Sequence, residues 1–180
     1  IPIEPKASKL GIFSQQDAPE IIIKVANYIS EKYGIKINYV ETGEIAAYAT
    51  ASEININLNR ASIEEPVHEL MHLILTTLKA RDYETYKQIV NSVQNHPLFR
   101  QVSQIYDDEI YIDKLEETFV KLLSQTFRNK IHANGIFTTE VFDLALKETI
   151  QELFNLTADL SMVHTTNLLT QSINELMTLF

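Results

Sequence analysis

The sequence predicts an α+β fold, a mainly helical domain with a small N-terminal three-stranded sheet, and three observations carry that expectation. Apolar/polar alternation is confined to residues 35 to 59, and it ends with Ile54, Ile56 and Leu58 set strictly between Asn55, Asn57 and Asn59. Beyond residue 60, apolar residues recur at three- and four-residue spacing almost to the end of the chain. The 180 residues are 45% hydrophobic and 22% charged, the composition of an ordinary globular domain with a sizeable core. A single domain over 1–180 is expected, with a core at 17–130 and a C-terminal helical part at 138–180 packed on it.

Residues 1 to 16 have no clear period and read as an extended lead-in. Asp17, followed by Pro19 and Glu20, has the residues of a helix start; Ile22, Val25, Ala26 and Ile29 supply one apolar face and Gly34 marks the end. Strands are expected at 35–40, in the IAAYATA segment and at 54–59, the last with its Ile/Leu face buried and its Asn face wet. Ser62 and Glu65 have capping-box spacing, and Pro66 fits a first turn whose N–H groups lack intrahelical partners. The next helix should therefore begin near Ile63 and reach about Lys79, with Val67, Leu70, Met71, Ile74 and Leu78 toward the core. Helices follow at about 82–94, 98–106 and 109–130, Pro97 separating the first two and Asp107–Asp108 capping the third. Asn134–Gly135 marks a turn, and Thr138 or Thr139 caps another long helix. The final stretch carries Leu168, Leu169, Ile173, Leu176 and Met177 at helical spacing.

Composition excludes several functions. The formal net charge is -9, with no Lys/Arg cluster, so nucleic acid is not an expected partner. No apolar run approaches the roughly 18 residues of a membrane span, and the N-terminus lacks a signal-peptide layout; a soluble chain without a membrane partner is expected. Because it starts with Ile1–Pro2, it reads as an excised domain or processed product. Cytoplasmic and virion-associated locations both fit, and nothing indicates the oligomeric state. With no cysteine, disulfides and zinc–thiolate sites are ruled out, and any metal site must use histidines and carboxylates.

The chemistry concentrates in VHELMHLILTTL, residues 67 to 78, where His68, Glu69 and His72 interrupt an otherwise apolar and threonine run in the order His-Glu-x-x-His. On a helix, histidines at i and i+4 lie on one face, so both imidazoles can reach one zinc ion. Glu69 stands beside them as a base for water. With five histidines in the chain, accidental matches to this pattern are expected on the order of 0.01 times. Burial gives an independent argument, since each polar side chain on so apolar a helix carries a desolvation cost that a metal ion offsets. The pattern predicts a zinc-dependent peptidase. The bland alternatives are two histidines at the wet edge of an amphipathic helix and a degenerate, metal-free relative.

The motif resembles that of the HExxH zincin metallopeptidases. After His72 the chain reads LILTTLK, without the glycine and third histidine of the metzincins. It therefore looks like a gluzincin, over roughly residues 35 to 130, and the order of elements is similar to compact ImmA/IrrE-like and other phage- or mobile-element-associated members. That resemblance implies a third ligand from a glutamate on a later helix. In DDEIYIDKLEETFVKLLSQTF, helical phase puts Glu116 within the arc of Ile112, Phe119 and Leu123 and makes it the first choice, with Glu117, outside that arc, as the alternative. Glu109 ranks third; with Asp113 it has the Glu-x-x-x-Asp spacing some gluzincins use behind a zinc-bound histidine, although the helix dipole also explains an acid there. The resemblance further implies that a strand before the motif helix, 46–51 or 54–59, pairs with an extended peptide substrate.

His96, His132 and His164 lack partners at ligand spacing and read as surface or capping residues; Tyr48, Tyr106 and Tyr111 could donate a hydroxyl, but none stands out. Two other functions fit the same residues. One is a catalytically inactive zincin-fold structural or interaction protein, for example virion-associated, assembling through its C-terminal helices. The other is a metal-dependent hydrolase of a different bond.

Overall fold

The computed structural model describes residues 6–7, 17–41, 43–49, 53–135 and 137–155. It is mainly helical with a small mixed sheet, as the sequence predicts. The elements run β1 (Lys6–Ala7), α1 (Pro19–Tyr33), β2 (Lys36–Val40), β3 (Ala47–Ala49), β4 (Glu53–Asn57), α2 (Glu64–Arg81), α3 (Tyr83–Asn91), α4 (Pro97–Ile105), α5 (Tyr111–Asn134) and α6 (Thr139–Asn155). The three expected strands form, and two lead-in residues add a fourth, in the order β1-β3-β4-β2. β2 runs parallel to β4, whereas β3 is antiparallel to both β4 and β1.

The interior position of β4 changes what its alternation means. Ile54 and Ile56 are buried as expected, but so are Asn55 and Asn57. The asparagine face is covered by neighbouring backbone and side chains, and its amides are satisfied there: Asn38 Nδ2 donates to Asn55 Oδ1 at 3.1 Å and Asn57 Nδ2 to the Gly43 carbonyl at 3.2 Å. A buried polar face is tolerable when its groups are bonded.

α1 ends as its sequence dictates, Gly34 taking φ 69° while its N–H donates to the Ser30 carbonyl at 2.9 Å. Its start differs from expectation: Ala18 is the cap, without a side-chain bond. Asp17 instead accepts the Ile63 N–H at 2.8 Å, at the start of α2, and is also held by Arg128 at 3.2 Å and His132 at 2.9 Å. A residue that reads locally as a cap thus satisfies an orphan donor of another helix. The Ser62–Glu65 capping box is likewise replaced, since Ser62 Oγ accepts from the Glu64 N–H at 3.1 Å.

α2 is the centre of the molecule, packing against α1, α3, α5, β3 and β4. Every residue from Glu64 to Leu75 is buried, so packing rather than helix propensity holds this helix. At its first turn, Glu64 forms a buried ion pair with Lys121 of α5 at 3.1 Å. Leaving either charge alone there would cost several kcal/mol.

α5 starts without the expected acidic cap, whereas α4 is capped by a histidine, one of the roles expected of His96. His96 Nδ1 accepts the Leu98 N–H at 3.1 Å to cap α4, and Ile110, not Asp107 or Asp108, precedes α5 with no side-chain bond. Thr138 Oγ1 accepts from Val141 N–H at 3.2 Å at the start of α6. Phe142 of α6 is fully buried between Tyr28 and Phe127, with ring centroids 4.6 and 5.0 Å away. The described part of the C-terminal helical region therefore packs on the core; Leu168, Leu169, Ile173, Leu176, Met177 and His164 lie outside the described residues. Among the described residues, no helix is long and apolar enough to cross a membrane.

Candidate metal centre

The i,i+4 spacing stacks His68 and His72 along α2, with ring centroids 4.8 Å apart and Nε2 atoms 3.1 Å apart. Glu117 of α5 reaches both, Oε2 lying 3.4 Å from His68 Nε2 and Oε1 3.2 Å from His72 Nε2. All three residues are buried, and one ligand atom from each lies within 4.8 Å of the others. Ligands about 2.0–2.1 Å from a tetrahedral zinc are separated from one another by about 3.3 Å. The two Nε2 atoms, 3.1 Å apart, are spaced close to two corners of such a tetrahedron, Glu117 presents one oxygen to each of them, and two imidazoles with one carboxylate form a suitable donor set. The residues present fit the ion.

Helical phase favours Glu116, but Glu117 is the carboxylate that faces both imidazoles. The Glu116 carboxylate lies behind His72, Oε2 2.5 Å from Nδ1, while Oε1 accepts the Tyr86 hydroxyl at 2.6 Å. Phase fails here because α5 packs against α2, α3, α4 and α6, and every residue from Leu115 to Lys121 is buried. A helix covered on several sides has no single inward arc. Glu109 sits in the turn before α5, half-buried and outside the His-His-Glu group. The carboxylate on a histidine's far nitrogen is thus Glu116, not one from the Glu109–Asp113 pair.

Burial disfavours a charged imidazole, but the Glu117 and Glu116 carboxylates outweigh it and hold His72 well above its ordinary range. Burial likewise opposes ionisation of Glu117, yet His72 and His68 hold it well below the usual carboxylate range. The carboxylate is ready as a ligand, and the imidazole must release a proton to become one. Burial and the negative Glu116 carboxylate keep the Tyr86 hydroxyl protonated far above the ordinary tyrosine range, so it serves as a donor. Tyr86 escapes a sequence reading because nothing in the spacing of a tyrosine on an amphipathic helix links it to a glutamate thirty residues later.

Among the buried polar groups are five carboxylates in or near the His-Glu-x-x-His motif and at the middle of α5, Glu64, Glu65, Glu69, Glu116 and Glu117, against His68, His72 and Lys121. That excess of negative charge favours a cation. Burial, countered in part by His68 and reinforced by Glu69, pushes the Glu65 carboxyl up to about 7. The protonated form is thus favoured in the folded state, and the stability it supports, complete below about pH 4.5, is lost as pH rises toward 7. Glu65→Gln should therefore gain stability over the parent chain between pH 5 and pH 8, on the order of 2–3 kcal/mol. Denaturant titrations of the chelator-treated protein at the two pH values check this; a difference independent of pH would refute it.

Of the other expected groups, His132 bonds Asp17, Tyr106 is buried beside Val102, and the Tyr111 hydroxyl donates to Gln94 at 3.4 Å. None of them joins the His-His-Glu group, the one metal-ligand group among the described residues. No protein-family model matches the chain, and neither curated proteins nor solved structures provide a significant match. The functional reading rests on the motif and on this geometry.

Proposed function

We propose that the chain is a zinc-dependent metallopeptidase of gluzincin type, with His68, His72 and Glu117 as the metal ligands and Glu69 as the general base. The convergence of Glu117 on the two Nε2 atoms, within 3.4 and 3.2 Å, carries this reading. Bound by these three side chains, zinc would supply a Lewis acid for the scissile carbonyl and acidify water at the remaining position. Glu69, buried on α2 one residue after His68, accepts a proton from the attacking water and returns it to the leaving amine.

The sheet narrows where an extended peptide would lie. Residues 54–59 are excluded as the pairing strand because β4 already has β2 and β3 on its two sides. We assign the peptide to the side of β3 away from β4, where it would take the place of this chain's own Lys6–Ala7, which pair antiparallel with Ala49 and Tyr48 over two residues. An edge that accepts two residues of extended chain in that direction suits strand addition.

Elemental analysis of protein purified without chelator tests the reading, together with peptide cleavage before and after chelation. One zinc per chain and activity lost with chelator and restored by zinc are expected. A chain that binds no zinc, or one whose cleavage survives chelation, would rule it out; stoichiometric zinc without cleavage of any peptide would favour the inactive, structural alternative.

A further inference from the structure

We infer that Tyr86 and Glu116 are positioning residues that hold His72 in the orientation and tautomer needed to present Nε2 to the metal. This rests on the zinc-centre reading proposed above and assigns a role to two side chains outside the ligand set.

An imidazole has two chemically similar nitrogens, and a histidine on a helix can turn either toward a ligand. Which one binds is set by the bond the other makes. Here Nδ1 lies 2.5 Å from Glu116 Oε2, so the ring carries its proton on Nδ1 and turns Nε2 toward His68 and Glu117. Glu116 needs an anchor of its own, since a carboxylate on a long side chain has several rotamers. The Tyr86 hydroxyl supplies it by donating to Oε1 at 2.6 Å, which leaves Oε2 for the histidine. Tyr86 is itself fully buried on α3, with the Lys79 ammonium 5.4 Å from its ring centroid. The chain of contacts runs α3 to α5 to α2 without leaving the interior. Consecutive residues of α5 then serve one imidazole from both ends, Glu116 at Nδ1 and Glu117 at Nε2.

Two near-isosteric variants, Tyr86→Phe and Glu116→Gln, test the inference through zinc affinity, measured by competition with a chromophoric chelator at fixed pH. Affinity should fall about 10-fold in Tyr86→Phe and up to about 100-fold in Glu116→Gln, the range seen when an outer partner of a metal ligand is removed. Proton NMR of the zinc-loaded parent chain should show a slowly exchanging His72 Nδ1–H that shifts or vanishes in Glu116→Gln. Unchanged affinity in both variants, with the Nδ1–H signal retained, would overturn the positioning role while leaving the zinc centre standing. A parent chain that binds no zinc would sink the centre itself, and this inference with it. Thermal unfolding with chelator present guards against a folding defect, and a melting temperature lowered only in the zinc-loaded variants supports the inference.

Discussion

Glu69→Gln should reduce peptide hydrolysis by about 10²–10⁴-fold, the usual contribution of a positioned general base, while the protein still binds one zinc. The substitution preserves the shape of the side chain at a fully enclosed position on α2, and it removes only the ability to accept a proton. Metal content and single-turnover cleavage of a peptide, measured on the same preparation, separate the two properties. His68→Ala or His72→Ala should lose both together, because each deletes a ligand. If the Glu69→Gln protein cleaved peptides at the parent rate, the mechanism would be wrong even with zinc in place. If it lost its zinc, Glu69 would belong to the metal's support rather than to the chemistry.

The second large effect separates two adjacent residues. Glu117→Ala should weaken zinc binding by more than the roughly 100-fold that removal of an outer partner can cost, because it deletes the carboxylate that presents one oxygen to each imidazole. Glu116→Ala should retain zinc at reduced affinity, since its carboxylate contacts the far side of His72. Titration of each variant with zinc decides between them. Loss of zinc in Glu116→Ala with full binding in Glu117→Ala would restore the order that helical phase favours and would contradict the observed geometry. Both variants leave buried histidines with one fewer carboxylate, so each should also be less stable than the parent chain.

Much of this is legible in the chain alone. His68, Glu69 and His72 stand out because their spacing and their apolar surroundings are both local properties. The strands at 36–40, 47–49 and 53–57 and the helix boundaries at Gly34 and Pro97 follow from alternation and from glycine and proline chemistry. The misreadings share one cause. Asp17 has the local features of a cap for α1, yet its carboxylate is used by Ile63, forty-six residues later. Asn55 and Asn57 alternate like a wet strand face, yet neighbours cover them. Each choice depends on what packs against the residue from a distant part of the chain.

The site divides along the same line. That two imidazoles and a carboxylate share one helix is a local property, since an i,i+4 pair meets wherever an α-helix forms. Which glutamate faces both imidazoles, and which one the Tyr86 hydroxyl bonds, depends on how α2, α3 and α5 pack. Periodicity predicts which face of a helix is buried when one face is covered; α5 is enclosed on several sides, so the angle between Glu116 and Glu117 acquires meaning only once α2 and α3 are in place.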